Sequence, residues 1–235
     1  MKLSLIIPMY NESAIIAETA KTYFQYLSSH FEDFELIFVD DGSTDDCAAR
    51  VEALRLPCVQ VLRYTPNQGK GNAVKTGMLA ATGDVRMFLD ADVAYGTEVI
   101  GRAAALFAEH PEADLVIGSR PLHPEGYAGY TLLRKLASET YIKVLNVTGG
   151  FRLSDSQCGC KAYRGPVAEL IFARTETKGF AFDFETILWA QKLGCGIVEM
   201  PVKIINHRAS KVHVFRDTFR MLKELRAIKK RVMKE

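Results

Sequence analysis

Asp90 and Asp92 stand two residues apart, directly after the apolar run Val85–Leu89. Two carboxylates so spaced at the end of a strand can share one hard divalent cation. Mg²⁺ and Mn²⁺ favour oxygen ligands, usually a few carboxylates plus phosphate oxygens. Such an ion would neutralise a diphosphate and stabilise it as a leaving group. The plainer alternative for a D-x-D is a solvated turn or a helix cap. Its surroundings favour the ion, because other apolar runs also end in acids. Asp40 and Asp41 close the run Glu35–Val39. An acid there can accept from a base imino group or a ribose hydroxyl. It can also make an Asx turn with Ser43, with Asp45 or Asp46 capping the next helix.

Lys70 lies in the Gly-rich stretch Asn67–Asn72. The stretch is neither a P-loop nor a dinucleotide fingerprint, yet a Lys at a helix start can meet a phosphate. Arg120, Arg134 and Arg208 offer forked donors to phosphate, or sit on solvated faces. Asp183 and Glu185 lie among Phe180, Phe182 and Phe184, where a base is one reading and a helix cap or dipole partner the other. Trp189 and Phe184 read as core, and His207 and His213 as lone histidines.

Positioning these groups requires alternating strands and helices. Strands are expected at 3–7, 35–39, 59–64, 85–89 and 115–118, the first stopped by Pro8. Helices are expected at 13–29 (capped by Asn11 or Ser13), 45–54, 72–81 and 98–110. The second half predicts helices at 130–147, 165–171, 182–193 and 215–232, and strands near 160 and at 197–205. This is an α/β chain with a mostly parallel central sheet and helices on both faces. Ligands then bind outside the carboxyl ends of the strands, where the polar clusters fall.

Composition bounds the rest. The chain has 235 residues, 48% of them hydrophobic and 25% charged, typical of a soluble domain. Thirty basic against 28 acidic residues gives +2, too balanced for a general nucleic-acid binder. No apolar run reaches the roughly 18 residues of a membrane span. With no signal-peptide pattern at the start, the expected location is cytoplasmic. Five scattered Cys predict neither a disulfide framework nor a zinc tetrad. Residues 1–212 read as one catalytic domain and 213–235 as a basic amphipathic helix. That helix carries Phe219, Leu222, Leu225, Ile228 and Val232 at helical spacing, with eight Lys or Arg against three acids from Arg216 on. It fits either an anionic membrane surface or a packed terminal helix.

The segments SLIIPMYNE, FELIFVDDGSTD, NQGKGNAVKTGM, ATGDVRMFLDADVA and VIGSR, in that order, resemble family 2 glycosyltransferases of the GT-A fold. LSDSQCGCKAYR, GFAFDFETILWAQ and VKIINHRASKV resemble more narrowly the polyprenyl-phosphate branch, dolichyl-phosphate β-glucosyltransferases with dolichol-phosphate mannosyltransferases beside them. The resemblance spans about residues 3 to 212. It implies nucleotide contacts at Pro8, Tyr10 and Glu12, base and ribose contacts at Asp40 and Asp41, and a donor contact at Lys70. It implies a Mg²⁺ or Mn²⁺ site at Asp90 and Asp92. Arg120, Arg134 and Ser138 match positions that hold the lipid phosphate. Arg208, Ser210 and Lys211 match a loop that closes over the donor, and Asp183 matches a catalytic-base position. The chain departs from the pattern at Cys160, where Phe is common, and at Val93, where mannosyltransferases have Gln.

The activity that the resemblance implies is a metal-dependent inverting transfer of a hexose to a polyprenyl or dolichyl phosphate. The donor it implies is UDP-glucose, with GDP-mannose the alternative. A phosphate acceptor is already largely anionic near neutral pH, with a second pKa of about 6, and needs no strong base. A hydroxyl acceptor, as in polysaccharide synthesis, would make Asp183 essential. A nucleotidyltransferase is disfavoured because Pro8–Glu12 is no Gly-rich phosphate loop. A non-catalytic nucleotide-sugar-binding module is disfavoured by the intact acids and arginines.

Overall fold

The computed structural model describes residues 1–206 and 214–234. Its strands are β1 (Leu3–Met9), β2 (Phe34–Asp40), β3 (Val59–Arg63), β4 (Val85–Leu89), β5 (Ala113–Ser119), β6 (Cys160–Arg164) and β7 (Gly196–Pro201). Its helices are α1 (Ile16–His30), α2 (Cys47–Glu52), α3 (Lys70–Ala80), α4 (Glu98–Glu109), α5 (Leu132–Gly149), α6 (Gly165–Arg174), α7 (Phe182–Lys192) and α8 (Val214–Lys234).

The strands form one sheet in the order β3-β2-β1-β4-β6-β5-β7. All pair in parallel except β6, which runs antiparallel between β4 and β5. Side chains alternate across a strand, so β1 feeds two apolar layers. Leu3, Leu5 and Ile7 pack with Ile16, Ala20, Tyr23 and Leu27 of α1. Ile6 joins Val74 and Met78 of α3 and the apolar face of α7 on the other side. The strand order reverses between the parallel neighbours β1 and β4, leaving a crevice outside their carboxyl ends.

Two local expectations need correction. Pro8 does not stop β1. Pairing with β4 ends at Ile6↔Phe88, while pairing with β2 runs on to Met9↔Asp40. Past Ile6 the strand has a neighbour on one side only, where a residue lacking an N–H is tolerated. Nor do Asn11 or Ser13 cap α1, whose N-cap is Ile15 with no side-chain hydrogen bond. Asn11 has φ +53 and accepts from the Thr44 N–H (2.8 Å), pinning the end of β1 to the turn after β2.

The C-terminal stripe is also spent differently from a membrane-lying helix. Leu225, Ile228 and Val232 are buried in the same apolar layer as Leu145 of α5 and Phe184 and Trp189 of α7. The side chains of Phe219 and Leu222 lie outside the described residues. The exposed apolar face is on α5 instead, where Leu132, Leu133 and Leu136 are 88%, 71% and 62% exposed. Among the described residues no helix is long and apolar enough to cross a membrane.

Candidate active site

Asp90 and Asp92 lie where β4 leaves the sheet, beside the crevice. Helix α1 holds their backbone from below. The Thr19 hydroxyl donates to the Ala91 carbonyl (2.7 Å) and the Tyr23 hydroxyl to that of Asp90 (3.2 Å). Gly159 packs against the carboxylate of Asp90, and a Cβ there would overlap it. Val93 has φ +52, a conformation that costs a β-branched residue energy. It turns the chain so that the Ala94 N–H reaches Asp92 Oδ1 at 3.1 Å. From the far side, Asn206 donates to the Asp92 carbonyl (2.6 Å) and the Ile205 N–H to that of Ala94 (2.8 Å).

Lys70, the first residue of α3, donates from Nζ to Asp90 Oδ1 at 2.5 Å. Burial alone would lower its pKa, but Asp90, Asp183 and Asp92 together raise it. Asp92 is raised by burial and by repulsion from Asp90. Two hard carboxylates that repel each other, and already draw in a cation, fit a divalent ion shared with phosphate oxygens.

The two acids after β2 do different work. The carboxylate of Asp41 accepts from Tyr64 Oη (2.7 Å), Asn67 Nδ2 (2.8 Å) and the N–H groups of Gln68 (2.8 Å) and Gly69 (2.9 Å). Asp41 therefore builds the Gly-rich turn, and the expected base or ribose contact through its carboxylate gives way to that role. Asp40 makes the Asx turn, with Oδ1 accepting from the Ser43 N–H (2.9 Å). Its Oδ2 takes no hydrogen bond among the described residues. The turn's glycines answer to the chain crossing them. A Cβ at Gly69 would meet the Lys178 carbonyl at 2.6 Å, and one at Gly71 the Thr177 carbonyl at 2.6 Å.

A second cluster forms where β5 ends. Arg120 is not on a solvated face. Its guanidinium forks onto buried Asp155 (Nε–Oδ2 2.5 Å, Nη2–Oδ1 2.9 Å), and Nη1 donates to Tyr130 Oη at 3.0 Å. Arg134 stacks on the other part of that tyrosine, 4.2 Å from the ring centroid. Lys135 lies 5.4 Å from the Tyr127 ring, and the Tyr127 hydroxyl faces Ser138. Arg120, Arg134 and Ser138 thus lie in one cluster, with Tyr130 and Tyr127 as spacers. Tyr95 joins this cluster to the carboxylates. Burial pushes its phenol up, Cys158 adds to this, and Arg120 and Asp90 act on it with opposite signs.

Asp183 lies near Lys70 and Asp90 but is buried and tied to Lys161, which is wholly buried (2.5 Å). Lys161 also donates to the Cys158 carbonyl at 2.8 Å. Burial raises Asp183 and Lys161 opposes that rise. Asp183 Oδ1 is thus committed to Lys161 inside the core, while its pKa stays above the usual carboxylate value. Glu185 accepts from the Thr177 N–H (2.7 Å) and pairs with Arg231 of α8 (2.8 Å), fixing the segment that crosses the Gly-rich turn.

Pro8, Tyr10 and Glu12 stand at the end of β1 beside the crevice. Arg208, Ser210 and Lys211 lie outside the described residues. The residues not singled out from the sequence are Asp155, Lys161, Tyr95, Tyr127 and Tyr130. The first two sit in LSDSQCGCKAYR, where a D and a K within one short segment were the only signal.

A seven-stranded mixed sheet with an acidic pair at the reversal between β1 and β4 is a glycosyltransferase architecture of the GT-A type. The family model described as glycosyl transferase family 2 matches residues 4–172, and the chain belongs to that family. It is 29% identical to a dolichyl-phosphate beta-glucosyltransferase of Dictyostelium discoideum, over 98% of this chain and 75% of that one. It is 31% identical to a Trichomonas vaginalis protein of the same description, over 85% of this chain, and spans 63% of that relative's length. An undecaprenyl-phosphate mannosyltransferase of Micrococcus luteus is 30% identical, over 87% of this chain and 84% of that one. Among solved structures, glucosyl-3-phosphoglycerate synthase of Mycobacterium tuberculosis, in complex with Mn²⁺, UDP and phosphoglyceric acid, superposes with a TM-score of 0.72 at 18% identity. The match covers 98% of this chain and 78% of that one.

Proposed function

We propose that this glycosyltransferase moves glucose from UDP-glucose to a polyprenyl or dolichyl phosphate, inverting the anomeric carbon. The observation that carries this reading is the pairing of Asp183 with Lys161 beside an Arg–Tyr–Arg cluster. No proton needs to leave a phosphate acceptor, so a site whose buried acid already holds a lysine suits it. Arg120, locked by Asp155, keeps N–H groups for that phosphate, and Arg134 and Ser138 flank it. Asp40 Oδ2 is the acceptor left for the nucleoside, and Lys70 serves the diphosphate. A divalent ion held by Asp90 and Asp92 would supply charge neutralisation at the leaving diphosphate. The crevice and the arginine cluster hold donor and acceptor in one orientation, which supplies much of the rate. Relatives described as dolichyl-phosphate beta-glucosyltransferases support glucose as the sugar and a lipid phosphate as the acceptor. The Micrococcus luteus relative supports mannose as the sugar of the second reading.

The test is transfer by the purified chain in detergent, with UDP-glucose, GDP-mannose, polyprenyl phosphate and Mn²⁺ or Mg²⁺ varied singly. The expected product is a β-linked glucosyl lipid phosphate, lost when EDTA removes the ion. Transfer to sugar hydroxyls with no response to the lipid would overturn the acceptor, and a GDP-mannose preference the donor.

The acceptor's lipid tail implies contact with a bilayer, and α5 offers it. Leu132, Leu133 and Leu136 project beside Arg134 and Lys135, next to the arginine cluster. Each leucine buried in lipid contributes about 1.5–3 kcal/mol, and the basic pair adds attraction to anionic headgroups. Replacing the three leucines by Ser is expected to abolish sedimentation with anionic vesicles and to slow transfer to membrane-embedded acceptor. UDP release from UDP-glucose with water as acceptor should be unchanged. Unaltered sedimentation would count against α5 as the docking face.

A further inference from the structure

We infer that Lys70 is an internal counter-cation: without metal and nucleotide it neutralises Asp90, and it must turn to the donor's diphosphate before the carboxylates take up a divalent ion. The inference rests on the metal and donor roles proposed above. Lys70 Nζ lies 2.5 Å from Asp90 Oδ1, so it stands on an oxygen that the ion needs. Asp92 supplies the second ligand, its Oδ1 oriented by the Ala94 N–H, so the ion still requires the carboxylate that Lys70 occupies. The ammonium has no other side-chain hydrogen bond among the described residues. Its stem rises from the first residue of α3, in the turn whose backbone is shaped by Asp41. Phosphate bound against that turn would offer the Lys an anion of greater charge than one carboxylate. Two cations cannot share Asp90 at this distance without strong repulsion.

Metal and nucleotide are therefore coupled through one side chain. Either alone binds weakly. The nucleotide draws Lys70 away and opens the carboxylate, and the metal strengthens the hold on the diphosphate. Coupling of this kind is reciprocal.

The experiment is a titration of the full chain with Mn²⁺, followed by the loss of the free-ion electron paramagnetic resonance signal, with and without UDP. The variants are Lys70→Met, Lys70→Gln and Lys70→Arg, with thermal unfolding recorded for each. The parent should bind Mn²⁺ weakly alone and at least about tenfold more tightly with UDP. Lys70→Met and Lys70→Gln should bind Mn²⁺ alone at least about tenfold more tightly than the parent, and gain little from UDP. Lys70→Arg should behave as the parent. The inference is overturned, with the metal site intact, if the neutral variants bind Mn²⁺ alone as weakly as the parent while Mn²⁺ with UDP still binds. If no protein binds Mn²⁺ even with UDP, the metal reading fails and takes this one with it.

Discussion

Asp92→Asn is expected to lose sugar transfer by about 10²–10³-fold and yet to unfold at a higher temperature than the parent. The two effects have one origin. Burial and the neighbouring Asp90 raise the pKa of Asp92, so ionising it in the folded chain costs stability. The sign comes from proton linkage. An acid whose folded pKa lies above its unfolded value destabilises the fold at pH above both. That penalty shrinks as pH falls through the folded pKa and is gone below the unfolded one, near 3.9 for aspartate. Asparagine keeps the shape and removes the charge. Thermal unfolding in EDTA should show the variant ahead of the parent at pH 7 and the gap closing toward pH 4. Transfer assays supply the other half. A variant that unfolds earlier than the parent at pH 7, or that transfers sugar at the parental rate, refutes the account. This is a stability–activity trade-off of the usual kind, located in one repelling pair.

Lys161→Met should destabilise the chain by about 3–5 kcal/mol, the cost of leaving one member of a buried ion pair alone. Lys161 is wholly buried and Asp183 nearly so, so no water can replace the ammonium. The pair also joins β6 to the start of α7, linking the middle of the sheet to the layer that covers it. The double variant Lys161→Met/Asp183→Leu should recover most of the loss, because a buried pair replaced by apolar groups of similar size is often neutral. Urea unfolding of the parent, both single variants and the double variant closes the cycle. Losses that simply add would mean that the pair is not coupled. Kinetics on Asp183→Asn are open to the same effect. A drop in rate there would arise from a stranded lysine whether or not the acid touches an acceptor.

Much of this arrangement was legible in the residues. The five apolar runs of the first half became β1 to β5, and the acids that follow them became the crevice, because a parallel sheet places its strand ends together. Asp90 and Asp92 needed only their position after β4. The rest depended on partners remote in the chain. Nothing local marks Cys160–Arg164 as antiparallel, since its direction is set by pairing with residues 85–89 and 115–117. Lys161 reads as an ordinary surface lysine until the sheet buries it. Arg120 reads as a phosphate ligand or a solvated charge, and only Asp155 and Tyr130 reveal a clamped guanidinium. Asp41 illustrates the opposite case. Its type suggested a ligand, but four donors within its own fold already surround it. For the same reason the C-terminal stripe could not be told from a membrane-lying helix. Period alone does not say which apolar surface will cover it.

The tie from Arg231 through Glu185 to the segment over Gly69 and Gly71 makes the last helix a buttress of the Gly-rich turn. The end of the polypeptide farthest in sequence from the Gly-rich turn is thus mechanically its neighbour. If the turn takes a diphosphate as proposed, ordering it would tighten the anchorage of α8, and loosening α8 would slacken that grip.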